Sequence, residues 1–304
     1  MKRHPSLILL LILALTASAC VFTGNPNKPQ GYVRYCVKIL DRHALYADSP
    51  RWRQTRDSIL SASKAISSFD EAHDLVSRAA KVAGGKHSQL LPPIKDTASY
   101  SETAPEVKLM EEGIVYILLP AHSGVKVSDS LYVHTVLDFL AAHQDAKGVV
   151  LDLRDNRGGN MYPMIAAVSP LLPDGIILRF KDRKRTVPVS LDFVLNTNGL
   201  KAESIHKFPS SVPIALLTDD WTGSSGEATL LCFRGLENTR TFGIPTAGFA
   251  SANNVKPLSD GYTLVITTGC DMARTGEVFC DDPISPDVVT QTPLEDALNW
   301  IATK

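Results

Sequence analysis

Twice along the chain a short, mostly apolar run ends in a glycine-bearing polar turn, and a helix follows. The first is Gly148-Val-Val-Leu-Asp-Leu153, leading into Arg154-Asp-Asn-Arg-Gly-Gly-Asn160. The second is Val212 to Leu217, leading into Thr218-Asp-Asp-Trp-Thr-Gly-Ser-Ser-Gly-Glu227 and a helical stretch, Ala228 to Leu236. Apolar runs without alternation are strands buried on both faces, the condition of a parallel sheet. Strand, turn and helix recurring in this order predict an α/β core. Ile114 to Leu119 and Tyr262 to Thr268 read as further strands. Ser130 to His143 and Leu294 to Ala302 read as helices.

The texture before the core is different. Between 31 and 83 apolar residues recur at helical spacing: Val33, Cys36, Val37 and Leu40, then Ile59, Ala62 and Ile66, then Ala72, Leu75, Val76 and Ala79. This predicts a small N-terminal helical bundle, with Asp70 as a candidate cap of its third helix. Gly84-Gly85 ends that helix, and 94–106 reads as a polar loop. The expected division is 1–20 signal peptide, 21–30 tether, 31–93 helical bundle and 106–304 α/β core.

Lys2, Arg3 and His4 precede an apolar run from Leu7 to Leu15 and the small residues Thr16-Ala-Ser-Ala-Cys20. That order is an export signal, with an apolar run too short for a span of roughly 20 residues. Ala17-Ser-Ala-Cys20 resembles a bacterial lipobox, with Ala17 where leucine is usual. Cys20 is therefore a candidate lipidation site and membrane anchor; ordinary cleavage near Ala19 is the alternative. Export permits disulfides. Cys270 and Cys280 flank a hairpin-like tip, a candidate cross-strand pair, whereas Cys36 and Cys232 read as buried thiols.

The 304 residues carry 31 basic and 32 acidic side chains, so the basic footprint of a nucleic-acid binder is missing. The sequence shows no metalloprotease helix motif, paired CxxC or phosphate loop, and implies no metal or organic cofactor. Asp152, Asp155, Asp219 and Asp220 are strand-end carboxylates and read as solvated loop residues rather than ligands.

Ser224 stands between a buried strand and a helix start. Backbone N–H groups at a helix start favour negative charge, so a tetrahedral oxyanion could be held there. Serine is also a common helix cap, so its position alone is weak evidence. Gly158 and Gly159 form a turn that could supply a second oxyanion donor, or merely a turn needing positive φ. A serine nucleophile needs a base. His43, His73, His134 and His143 lie in helical stretches, and His206 lies near a polar loop. His87 and His122 sit in loops, and position does not separate them. No Gly-x-Ser-x-Gly elbow is present.

Read together, these segments resemble the tail-specific, or C-terminal processing, serine peptidases. The order is Asp152-Leu-Arg-Asp-Asn-Arg-Gly-Gly159, Ser224 with Glu227, Gly243-Ile-Pro-Thr246, Leu258-Ser-Asp-Gly261 and Pro283-Ile-Ser-Pro-Asp287, the last with Pro283 in place of glycine. The likeness spans roughly 110–290. Many members use a lysine base shortly after Gly-x-Pro-Thr. Here that stretch is Ala247-Gly-Phe-Ala250. The chain is thus similar to a lysine-lacking branch with tricorn-core-like and nisin-resistance-protein-like members. Its peptidases draw a histidine from a Gly-His-Ser/Thr-like loop, matched by Gly85-Lys-His-Ser88.

The resemblance implies a ClpP/crotonase-like α/β core preceded by the helical bundle, with no room for a PDZ module. It implies a peptidase acting on a peptide or protein substrate, and the export signal places that peptidase outside the cytoplasm. Ser224 is the expected nucleophile and His87 the expected base. Gly159 (or Gly158) and Ser225 are the expected oxyanion donors. Ser88, Glu277 and Asp281 are the candidates for orienting the imidazole. The rival readings are a non-catalytic peptide- or ligand-binding member of the fold, an esterase, and a lantibiotic-cleaving resistance protein.

Overall fold

The computed structural model describes residues 25–93 and 102–304. The export signal, Cys20 and most of the expected 94–106 loop lie outside the described residues. Among those described, no helix is long and apolar enough to cross a membrane. The chain divides into two compact units.

The first unit contains α1 (Pro29–His43), α2 (Pro50–Ala62), α3 (Phe69–Gly84) and β1 (Gln89–Leu91). Tyr32, Val33, Cys36, Val37 and Leu40 of α1 pack with Trp52 and Ile59 of α2. Ala72, Leu75, Val76, Ala79, Ala80 and Ala83 of α3 complete the helical face. The small residues of α3 match the helical spacing in the sequence and let the helices approach closely. The cap of α3 is Ser68 rather than Asp70. Its hydroxyl accepts from Glu71 N–H, and the Glu71 carboxylate reaches back to Ser68 N–H at 3.0 Å. Asp70 instead falls in the first helical turn, where its charge suits the helix dipole.

Residues Asn253–Thr268 fold with these helices. Read along the sequence, the core would run unbroken from 106 to 304. This segment leaves it because Leu258, Leu264 and Ile266 are buried in the helical core. Each such burial contributes roughly 1.5–3 kcal/mol. β1 pairs antiparallel with Thr263–Val265 of the same segment. The tip Leu258-Ser-Asp-Gly261 is fastened to the helices through Asp260. That carboxylate takes Tyr32 Oη at 3.3 Å and His73 Nε2 at 2.7 Å, with the His73 ring stacked on Tyr262.

The second unit is the α/β core. Its main sheet contains β2 (Glu106–Leu109), β3 (Ile114–Leu118), β4 (Gly148–Asp152), β5 (Ile214–Thr218), β6 (Thr239–Gly243) and β7 (Val288–Val289). The order is β7-β6-β5-β4-β3-β2, parallel except for β2. Val149 and Leu151 of β4, with Ile214 and Leu216 of β5, enter one core. The helices Asp129–Ala142, Met161–Ala167 and Ser225–Phe233 contribute to it. Val150, Ala215 and Leu217 point the other way, against Ala297 and Ile301 of the C-terminal helix Pro293–Ile301. Both faces are covered, so these strands read as unbroken apolar runs.

Ile176–Asp182 and Thr186–Ser190 form an antiparallel hairpin, and the former also pairs with Gly269–Met272. Asp271 and Met272 pair in turn with Val278–Phe279, and the Cys270–Cys280 disulfide closes this hairpin. Cys36 and Cys232 are free and buried. The fold is the mixed α/β core with N-terminal helices that the sequence predicts.

Candidate active site

The two turns that the sequence singles out meet at the ends of β4 and β5. Gly223 N–H donates to Asn156 O at 2.8 Å, and Thr222 Oγ1 donates to Leu153 O at 2.8 Å. Asp155 N–H donates to the Asp219 carboxylate at 3.1 Å, and Ser225 Oγ donates to Gly159 O at 2.8 Å. Two strand ends that are neighbours in a parallel sheet thus hold their turns in one braced pair.

Ser224 caps the following helix with φ 54° and ψ −116°. The helix begins at Ser225, three residues earlier than periodicity suggests, so Ser224 is its first boundary residue. Positive φ in a serine costs on the order of 1–3 kcal/mol and persists only where surroundings enforce it. Glu227 enforces it. Its fully buried carboxylate accepts Ser224 N–H at 2.9 Å, Gly248 N–H at 2.8 Å, Phe249 N–H at 2.7 Å and the Thr246 hydroxyl. Thr246 Oγ1 also accepts Ile284 N–H at 2.8 Å, while Asp287 binds Thr241. Thr246 and Ile284, from the dispersed segments 243–246 and 283–287, are therefore linked to the Ser224 turn through Glu227.

Burial pushes the Glu227 carboxyl upward against these hydrogen bonds. Asp271, also buried, is driven well above the ordinary carboxylate range by desolvation and by the nearby Glu227 charge. Asp271 Oδ1 has no hydrogen-bond partner among the described residues. Sequence reading missed this residue; its only signal is an acid within an apolar strand.

Gly158 and Gly159 have φ of 98° and 123°. Gly158 N–H is taken by Asn156 Oδ1 at 3.0 Å, which removes it as a donor to a ligand. Among the described residues, Gly159 N–H and Ser225 N–H carry no hydrogen bond. The strand-end acids do not form a metal cluster among the described residues. Asp152 is buried rather than solvated, bound by Arg154 and by Tyr116 Oη at 2.7 Å. Asp219 is occupied by the backbone of the Ser224 turn. Phe249 places its ring beside Gly223.

His122 is buried in the core. Its Nε2 lies 2.7 Å from Asp129 Oδ1, and its backbone exchanges hydrogen bonds with Gly158 and Asn160. Its Nδ1 is 3.2 Å from Glu102 Oε1, without hydrogen-bond alignment. Burial opposes the Glu102 charge, but N–H groups of Val127, Ser123, Lys126 and Gly124 outweigh it and bring the pKa down to about 2.

His87 belongs to the first unit, half-buried in the turn after α3. Its Nε2 is 2.9 Å from Asn253 Nδ2. Asn253 Oδ1 accepts from Thr267 Oγ1 at 2.9 Å, and Thr267 Oγ1 accepts from Ser88 Oγ at 3.1 Å. Ser88 therefore connects to His87 through Thr267 and Asn253. Glu277 is committed to Arg234 at 2.8 Å and to Thr275, which hold its pKa down to about 2. Asp281 is half-buried just after Cys280. Asn253 was not among the residues singled out in the sequence, because nothing local marks it.

Residues 113–290 match the model of peptidase family S41. The chain is 35% identical to the nisin-resistance protein of Lactococcus lactis subsp. lactis, over 97% of this chain and 98% of that one. It is 25% identical to a carboxy-terminal-processing protease of Bartonella bacilliformis, over 49% of this chain and 32% of that longer protein. The fold is similar to that of a lipoprotein from Streptococcus agalactiae, with a TM-score of 0.82 and 31% identity over 92% of this chain and 98% of that one. The photosystem II D1 C-terminal processing protease has the same fold at a TM-score of 0.64 and 14% identity, over 90% of this chain and 97% of the other. With its braced serine turn and its matching core, the chain belongs to peptidase family S41, whose members take peptide or protein substrates.

Proposed function

We propose that this protein is an exported serine peptidase working through an acyl-enzyme, with Ser224 as nucleophile and His87 as general base. The observation that carries the reading is the Ser224 turn. A half-buried serine is held at positive φ beside two backbone donors, Gly159 N–H and Ser225 N–H, that carry no hydrogen bond among the described residues. In this reading His87 takes the Ser224 proton as Oγ attacks the scissile carbonyl. The carbonyl oxygen gathers negative charge, and the two N–H groups stabilise it. Collapse expels the amine, which receives the proton from His87. Water then repeats the sequence to release the acid. Phe249 has no proton-accepting group, which favours a histidine over a lysine base.

The likeness to a nisin-resistance protein along nearly the whole chain favours a lanthionine-bridged peptide as substrate. Export with a lipid on Cys20 fits the likeness to a streptococcal lipoprotein. Mass spectrometry of the native N-terminus tests the anchor: a mature chain lacking Cys20 refutes it.

A fluorophosphonate probe tests the chemistry. Wild type should label at Ser224, and His87→Ala should label on the order of a hundredfold more slowly. An unlabelled, folded wild type would instead indicate a binding protein. Cleavage of nisin, compared with a linear peptide and an ester, tests the substrate class.

A further inference from the structure

Glu102 stands shortly before β2, and its side chain is 1% exposed. Its carboxylate lies within the loop that joins β3 to the helix Asp129–Ala142. Oε1 accepts Ser123 N–H at 2.5 Å, Gly124 N–H at 2.9 Å and the Ser123 hydroxyl at 3.2 Å. Oε2 accepts Lys126 N–H at 2.6 Å and Val127 N–H at 2.9 Å. Backbone N–H groups turned inward in this way form a nest that takes an anion. Gly124, at φ 73°, lets the chain turn back so that the second pair of N–H groups faces the same carboxylate. Burial works against the Glu102 charge, and the four N–H groups outweigh it, holding the pKa down to about 2. The nest is therefore filled by an anion throughout the neutral pH range.

The loop leads directly to the oxyanion site. His122 precedes Ser123, and its N–H donates to Gly158 O at 3.1 Å. Its C=O accepts Asn160 N–H at 2.6 Å. The two bonds make a parallel bridge between His122 and Gly159. The fit is tight: a β-carbon on Gly159 would stand 2.0 Å from His122 O. Gly159 O in turn accepts the Ser225 hydroxyl at 2.8 Å. Gly159 is thus gripped between the serine turn and the His122 backbone, and that backbone runs straight into the nest. The His122 ring faces the same carboxylate, with Nδ1 3.2 Å from Glu102 Oε1.

We propose that Glu102 is a positioning residue of the oxyanion site. As a built-in anion it folds 123–127, and through the His122 backbone it fixes where the Gly159 N–H points. The proposal rests on Gly159 as an oxyanion donor in Ser224 chemistry. It gives a role to a residue outside the segment 113–290 that matches the family.

Fluorophosphonate labelling of the full chain tests it, because the phosphoryl oxygen gathers charge where the carbonyl oxygen would. Glu102→Ala should lower the limiting rate about ten- to a hundredfold, the order expected of a misplaced catalytic group. The half-saturating probe concentration should stay within about twofold of wild type, since the defect is in the transition state. The heavy atoms removed beyond Cβ are those of acetate. Sodium acetate should therefore recover part of the lost rate, and sodium chloride at equal ionic strength should not. Glu102→Gln keeps one acceptor oxygen but turns amide protons toward two N–H donors, so its rate should fall between wild type and Glu102→Ala. The ¹H–¹⁵N spectrum of glycine-labelled protein reads position directly. The Gly124 and Gly159 amide signals should both move in Glu102→Ala, and acetate should return them toward their wild-type places. A wild-type limiting rate in folded Glu102→Ala, or in Glu102→Gln should Glu102→Ala not fold, overturns the proposal. So does a lowered rate with an unmoved Gly159 signal, whatever acetate does. A wild type that does not label at Ser224 refutes the peptidase reading instead, and the Gly159 signal then decides by itself whether Glu102 holds this turn.

Discussion

Gly158 and Ser224 fit together only because residue 158 has no side chain: a β-carbon there would stand 2.6 Å from Ser224 Cβ. It would also lie 3.0 Å from Gly223 O and Ser225 N. These atoms belong to the backbone of a braced turn and cannot move aside cheaply. Gly158→Ala should therefore displace Ser224 and its neighbouring donors, and its φ of 98° adds strain of roughly 1–3 kcal/mol. The expected result is a folded but inactive protein with a lowered melting temperature. Wild-type labelling by a fluorophosphonate would show that the two turns are not coupled.

The strain at Ser224 predicts a divergence between stability and activity. Ser224→Ala should abolish labelling with little change in stability, because alanine keeps the β-carbon at positive φ. Ser224→Gly should also be inactive, yet more stable by about 1 kcal/mol as the strain is relieved. Urea denaturation of the three proteins measures this. Equal stability of the glycine and alanine variants would place no strain at this residue.

His122 should behave as a structural residue. Its side chain is buried against Asp129, and its backbone holds the Gly158–Asn160 turn. His122→Ala should cost on the order of 2 kcal/mol or more, through the lost charged hydrogen bond and the cavity left behind. Residual activity should follow the folded fraction. A stable but inactive His122→Ala protein would return this histidine to the list of candidate bases.

Asp271 predicts a pH dependence of stability. Its folded-state pKa is raised by burial and by Glu227, so the folded chain retains a proton that the unfolded chain releases above about pH 4. Stability contributed by the neutral acid is whole below that value and is lost as pH rises toward the folded-state pKa. Asp271→Asn keeps the shape and removes the titration. Its stability relative to wild type should grow with pH by up to about 1.4 kcal/mol per unit. The Glu227 carboxyl is raised in the same direction and interacts with Asp271, so the difference reads Asp271 together with its coupling to Glu227. Parallel stability curves from pH 4 to 7 would show that Asp271 is ionised in the fold.

The sequence by itself determined the α/β core, the two strand–turn–helix units, the family likeness and the candidates Ser224 and Gly159. All of these are written in contiguous runs: unbroken apolar strands, glycines where φ is positive, and a serine before a helix. The candidate pair of Cys270 and Cys280 was equally legible, since hairpin geometry joins neighbours in sequence. Tertiary structure decided what depends on distant partners. It tied Gly158 N–H to Asn156 and left Gly159 N–H without a hydrogen bond among the described residues. It drew Asn253–Thr268 out of the core and into the helical unit, because Leu258, Leu264 and Ile266 are buried there. It separated His87 from His122 by burial, and it revealed Asn253, 166 positions from His87. Propensity and periodicity act over a few residues, whereas a hydrogen bond to an imidazole needs only a partner about 3 Å away in space.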